Sequence, residues 1–189
     1  MRIKPLPPGS LNGEARYIHD EVAKLVGHSQ SPVKMTDREG ALLGPFAPML
    51  QYPQFGIPAL SFLRTLDTQA TLDKRVREVA ILTVGAAFGA RFELYAHEIM
   101  AATFGLSPDT VAALAAGSYP PGLNDNESIV YHMAHVLVEG HVVPDSTYKR
   151  GVQLLGQAGV AELFFLIGGY SLIAMVLNGF DMPAPAFSE

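Results

Sequence analysis

After Glu78 the chain runs for twelve residues, VAILTVGAAFGA, without a formal charge before it reaches Arg91, Glu93 and His97. Val76, Val79, Ala80, Thr83, Val84 and Ala87 form one apolar stripe at helical spacing, and the opposite face carries Ile81, Leu82 and Gly85. A helix that is apolar nearly all round is expected to be buried on several sides. Glu78, near the start of that helix, is then a carboxylate that needs a partner or a proton. Lys74, four residues earlier, and His97, from the next helix, are the partners on offer. A place near a helix N-terminus would also favour the charge.

The next segment repeats the pattern with different chemistry. Phe92, Tyr95, Ala96, Ile99, Met100 and Phe104 follow helical spacing and define a core stripe. Glu93 and His97 are four apart, so their side chains are expected on one face at the edge of that stripe, while Arg91 and Glu98 point to solvent. A carboxylate beside an imidazole at a core edge can move protons near neutral pH. The same spacing also fits an exposed ion pair worth roughly 0.2–0.5 kcal/mol.

The stretch from Glu78 to His97 resembles the signature of the carboxymuconolactone decarboxylase family, which includes the AhpD-type peroxidases. Those peroxidases carry a Glu, a Cys twelve residues on, a second Cys three further and a His four beyond; at that spacing this chain has Glu78, Ala90, Glu93 and His97. The chain has no cysteine, and thiol peroxidase chemistry needs a thiolate, so that activity is excluded. The resemblance covers roughly residues 40–180, most strongly RVREVAILTVGAAFGARFELYAHEIMAATFGLS and IGGYSLIAMVLNGF.

The resemblance implies an all-α, AhpD-like bundle of antiparallel helices and a homo-oligomer with pockets near subunit contacts. It also implies a reaction without metal or organic cofactor, like the decarboxylation of a carboxylated muconolactone by the family's namesakes. On that scaffold His97 is expected to be the general acid/base, with Glu93 orienting it and Glu78 completing a proton relay. Arg77 or Arg91 is expected to hold a substrate carboxylate or an enolate, because fixed cations lower the barrier where negative charge develops. Phe46, Met49, Tyr52 and Tyr170 are the expected pocket walls. The activity implied is that of a lyase or isomerase acting on a small carboxylated or enolisable molecule. The alternative is a non-catalytic oligomeric binding protein that kept the scaffold without the thiols.

Composition narrows the partners. The 189 residues suffice for one full core or two small repeats, and 49% of them are hydrophobic against 16% charged, which points to burial between subunits. A trimer or hexamer is expected, with a dimer as the smaller alternative. A net charge of −5 argues against nucleic acid. The N-terminal MRIKPLPPGS has no apolar run of the secretory kind, and a cytoplasmic location is expected. Leu163 to Phe180 carries no charge, but it contains Gly168, Gly169, Ser171 and Asn178 and lacks basic flanks. A core or interface helix is expected there, with no membrane.

The order of elements reads as helical throughout. Residues 1–39 form an arm and a helix from Glu14 to Val26, residues 40–182 the main helical domain, and residues 183–189 a tail. Thr36 or Asp37 is expected to cap the element that follows, and Asp73 and Ser107 cap the helices they precede. Gly85–Gly89 is expected to bend or break the apolar helix before a second one from Arg91 to Phe104. Asp125 or Asn126 starts a helix through Glu139, Asp145 one through Leu155, and a last long helix runs from about Val160 to Asn178. VREVAILTVGAAF and GVAELFFLIGGYS align with Glu78 on Glu162, an offset of 84 residues, which suggests a duplicated unit; Glu162 would then cap or pair.

The remaining histidines are weaker candidates. His132, His135 and Glu139 have a spacing that a divalent ion tolerates, but histidines near the polar surface of a helix are common, and no metal is expected. His19 and His28 are expected at the surface.

Overall fold

The computed structural model describes residues 1–28 and 32–185, except the side chains of 24–28. Among them lie a 3₁₀ turn at Pro8–Ser10 and eight α-helices: α1 Gly13–His28, α2 Phe46–Gln51, α3 Pro53–Thr68, α4 Lys74–Phe88, α5 Arg91–Thr103, α6 Pro108–Ala115, α7 Asp125–Val138 and α8 Asp145–Gly179. No strand occurs among the described residues beyond one isolated bridge, Thr36 to Leu42. Tail residues 186–189 lie outside the described part.

Helix α4 is the axis of the fold and packs against α5, α6, α7 and α8. Its residues from Val76 to Gly85 are all buried, and Val79, Ala80, Leu82 and Val84 are wholly so. Fully burying a Val or Leu side chain is worth about 1.5–3 kcal/mol, so this helix is held by its apolar surface on every side. The expected caps are in place: the Asp73 carboxylate accepts from Arg75 N–H at 2.8 Å, and Ser107 Oγ accepts from Thr110 N–H at 3.1 Å. Helix α7 starts at Asp125, the earlier of the two expected starts. Asn124 is its N-cap, and Glu127 closes a capping box by accepting from Asn124 N–H at 3.0 Å.

Helices α4 and α5 form a hairpin across Gly89. Ala90 N–H reaches Gly85 O at 2.9 Å and Gly89 N–H reaches Ala86 O at 3.1 Å. That pair of bonds is a Schellman stop, which requires a left-handed residue at the vertex; Gly89, at φ 60°, adopts it without a Cβ penalty. The chain therefore turns back at once, and α5 lies against α4. Helix α8 is interrupted at Gly156, at φ 72° and ψ 164°, which matches the expected division near Leu155. Glu162, just past that break, accepts from Thr71 N–H at 2.8 Å, Thr71 Oγ1 at 2.6 Å and Leu72 N–H, and so fixes the chain entering α4.

Two expectations fail near the N-terminus. Asp37 caps no helix; its Oδ1 accepts from Glu39 N–H and Ala41 N–H and shapes a tight turn instead. His19 is not at the surface: it is 3% exposed, with Nδ1 3.0 Å from Asp20 Oδ1 and Nε2 3.0 Å from Gly40 O. The Asp37 turn brings that carbonyl over α1, which nothing local in the sequence announces. The side chain of His28 lies outside the described residues.

Helices α1, α2 and α3 pack on one another, and α3 also rests on α8. Between this N-terminal cover and the α5–α8 surface lies a cavity of about 530 Å³. Helix α1, which the sequence placed in a separate arm, supplies Ile18 and Val22 to its wall.

Candidate active site

Three buried carboxylates occur in α4, α5 and α7, and they are treated differently. Glu127, 1% exposed, is satisfied on both oxygens, by its capping bond and by Arg75 Nε at 2.9 Å. Glu78, 5% exposed, bonds His97 Nδ1 through Oε2 at 2.8 Å. Glu93, 3% exposed, has no hydrogen-bond partner on either oxygen among the described residues. Burial alone holds its carboxyl well above the usual carboxylate range. Buried polar groups are satisfied in most folds, so an orphan carboxyl needs a reason. Its place in the cavity wall, beside His97, supplies one.

The structure exchanges the parts of the two glutamates. Glu93 and His97 share a helix and a cavity, but no hydrogen bond joins them; Glu78, from α4, is the residue that holds the ring. A carboxylate only accepts, so Nδ1–H is the donor, and in the neutral ring Nε2 carries the lone pair. Nε2 has no protein partner among the described residues. The edge of Tyr170 meets the imidazole at 5.0 Å and 87°, which fixes the ring on its other side. Burial, then the charges of Glu78 and Glu93, push the Tyr170 hydroxyl far above its ordinary range, so it stays protonated. Lys74 does not reach Glu78; its ammonium lies over the Phe104 ring at 4.9 Å.

Of the expected pocket walls, Phe46 and Tyr170 line the cavity. Met49 is buried in the core, and Tyr52 is exposed and stacks on Phe180 at 5.9 Å. Neither expected arginine lines the cavity. Arg91 is exposed and pairs with Asp181 at 2.6 Å. Arg77 is buried, donates to Leu66 O at 3.1 Å and faces Asp67 at 3.6 Å, with its Nε unpaired. The polar groups missed in the sequence are Ser61, Arg64 and Asp67, which line the cavity from α3, and Glu21 from α1. Their signal was a polar triplet at three-residue spacing beside the apolar Ile57, Leu60 and Leu63.

His135 Nε2 lies 3.2 Å from Glu139 in an exposed i,i+4 pair, while His132 stacks on Tyr119 at 5.5 Å. Among the described residues no group of three His, Asp or Glu side chains is placed to hold a metal ion.

By sequence the chain matches no family model and no curated protein. By structure it is similar to an uncharacterised peroxidase-related protein of Ralstonia eutropha JMP134, described as an alkylhydroperoxidase AhpD core. The TM-score is 0.77 at 14% identity, over 97% of this chain and 92% of that one. A putative antioxidant-defence protein of the AhpD kind from Agrobacterium tumefaciens superposes with a TM-score of 0.66 at 11% identity, over 74% of this chain and 96% of that one. The debrominase Bmp8, in a variant with one cysteine replaced by alanine and bound to 2,3,4-tribromopyrrole, gives 0.66 at 12% identity, over 78% of this chain and 79% of that one. The chain has the all-α, AhpD-like fold, in a form without a single cysteine.

Proposed function

We propose that the protein is a cofactor-independent lyase or isomerase of the carboxymuconolactone decarboxylase kind. It acts by general acid/base catalysis on a small, largely apolar molecule with an enolisable or carboxylated carbon. The observation that carries this reading is the Glu78–His97 bond at 2.8 Å, set at the wall of a cavity that also holds the orphan carboxyl of Glu93.

In the isomerase direction, His97 Nε2 takes a proton from a carbon next to a carbonyl. The C–H pair moves into the new C=C bond and the carbonyl oxygen gains charge. Glu93, entering as the neutral acid, and the Tyr170 hydroxyl are the donors for that oxygen. Imidazolium, stabilised by Glu78, then returns the proton to a different carbon. In the lyase direction the bond broken is that to a carboxylate: CO2 leaves, and its bonding pair forms an enolate whose oxygen takes the Glu93 proton. The carbon is then protonated by His97 with a proton it has taken up from solvent, while the oxygen returns its proton to Glu93. A positioned acid/base of this kind contributes about 10²–10⁴-fold. A cavity of about 530 Å³ falls within the usual size range for small-molecule sites. The bound tribromopyrrole of the debrominase is a ligand of that general size on a similar scaffold.

The test is deuterium exchange and CO2 release on a panel of lactones and β-keto acids, with untagged protein in D2O. The expected result is turnover by the parent and a rate lower by about 10²-fold or more in His97→Gln. Turnover that His97→Gln retains in full refutes the reading. Binding without any exchange by the parent would establish instead a small-molecule-binding protein on this scaffold.

A further inference from the structure

The cavity has a chemical gradient. Its floor carries Glu93, His97 and Tyr170, all largely buried, and its sides are apolar, with Phe46, Ile57, Leu60 and Leu63 among them. Its lip is the exposed triplet Ser61, Arg64 and Asp67, three residues apart and so on one side of α3. Arg64 is the only arginine or lysine among the described lining residues.

Its charge is also uncommitted. Asp67, three residues on, is the obvious partner, yet it faces Arg77 at 3.6 Å and makes no ion pair with Arg64. Glu21, the other acid near the lip, has a partner of its own, and the Arg64 side chain has none among the described residues. Arg77, expected in the sequence to hold substrate, thus has a different part: it donates to the carbonyl of Leu66 and faces Asp67 at 3.6 Å, and the Arg64 guanidinium makes no ion pair among the described residues.

We infer that Arg64 is the anion anchor of this cavity and that its ligand is an amphipathic organic acid. The carboxylate sits at the lip on Arg64, the apolar body along Phe46, Ile57 and Leu60, and the reacting carbon at His97 and Glu93. This assignment deepens the acid–base reading above and rests on it for the reacting end alone. Guanidinium matches a carboxylate with two parallel hydrogen bonds. Asp67, held by Arg77, and Glu21 disfavour a second negative group beside the first, so a monoacid fits better than a diacid with adjacent carboxylates.

Binding by isothermal titration calorimetry tests this without any need for turnover. The probes are 4-phenylbutanoate, its amide and 4-phenylbutylamine. The expected result is that the parent binds the acid at least about tenfold more tightly than the amide, and the amine more weakly still. Arg64→Gln should bind acid and amide about equally and keep the amide affinity of the parent. Arg64→Lys should keep part of the preference, because an ammonium is a cation without the fork. Arg150→Gln, whose arginine pairs with Asp125 on the surface, is the control and should keep the full preference. His97→Gln should also keep it; acid preference with no turnover in any variant would sink the catalytic reading and leave this one standing. An unchanged acid preference in Arg64→Gln, a parent that favours amide or amine, or a parent that binds none of the three overturns the assignment.

Discussion

Glu78 Oε2 lies 2.8 Å from His97 Nδ1, and this bond ties α4 to α5 across the Gly89 turn. The two residues are nineteen apart in sequence, and the Schellman stop brings them together by folding one helix back on the other. A bond between helices fixes a ring more firmly than an i,i+4 contact on one helix, since both ends are anchored by packing. It also leaves Glu93 with no structural duty.

His97→Gln is therefore expected to lower kcat by about 10²-fold or more, the loss typical of a general acid/base, with little change in fold. Glu78→Gln keeps a hydrogen-bonding group near Nδ1 but no charge for an imidazolium, and should lower kcat by a smaller factor. His132→Gln, whose ring stacks on Tyr119 away from the cavity, should match the parent. A pH–rate profile with thermal melts on the three variants decides it. Parental kcat in His97→Gln together with a loss in His132→Gln would move the site to α7.

Much of this was legible in one stretch of sequence. The uncharged run after Glu78, the caps at Asp73 and Ser107 and the glycines before Arg91 are local signals, and they gave α4, α5 and α6 nearly to the residue. Glu78, Glu93 and His97 came from the resemblance carried by that same stretch, with the i,i+4 spacing of the last two beside it. Which glutamate holds the imidazole was not legible, because it depends on how α4 and α5 are rotated against each other. Arg64 and the α1 wall were missed for a related reason: the cavity is made by long-range packing of α1 and α3 over α5 and α8. His19 fell to the same cause, its burial depending on Gly40 O, twenty-one residues away.

The protein is expected to show no thiol-dependent peroxidase activity, with or without a dithiol reductant. Its fold relatives include proteins described as peroxidase-related, but Ala90 and Glu93 stand at the two positions where the signature has cysteine, and the chain has none elsewhere. A coupled hydroperoxide assay on pure protein should give the buffer rate. Thiol-dependent consumption above buffer would contradict it.

A homo-oligomer is expected in solution, a trimer or hexamer or, at the least, a dimer. Helix α8 leaves Phe165, Leu172 and Met175 exposed by 64%, 44% and 59%, and α3 leaves Phe55 exposed by 73%. Phe165, Leu172 and Met175 lie seven and three residues apart, on one face of α8, and an exposed apolar stripe of this kind is uncommon on monomers. Multi-angle light scattering at micromolar concentration should give a multiple of the 20.3 kDa chain, and the double variant Phe165→Lys, Leu172→Lys should lower it. A parent that runs as a monomer would contradict the expectation.

Glu93 should make stability depend on pH in the opposite sense to an ordinary paired carboxylate. Its native carboxyl titrates well above the ordinary value of 4.5, with burial as the cause. Between the unfolded and the folded value the native state holds a proton that the unfolded state has lost. Stability is therefore fully present below about pH 4.5 and falls as pH rises through the folded value, after which the loss is complete. Glu93→Gln cannot ionise, so the variant should gain on the parent as pH rises and show little difference at pH 4. A difference of about 1 kcal/mol moves Tm by about 2–4 °C for a chain of this size, which a melt resolves. Activity should move the other way, falling in Glu93→Gln because the amide cannot hand over a proton. Melts of parent and variant from pH 4 to pH 9 check the first statement, and kcat at each pH checks the second. A Tm difference that does not change with pH would mean that Glu93 finds a partner in solution and is not held as a neutral acid.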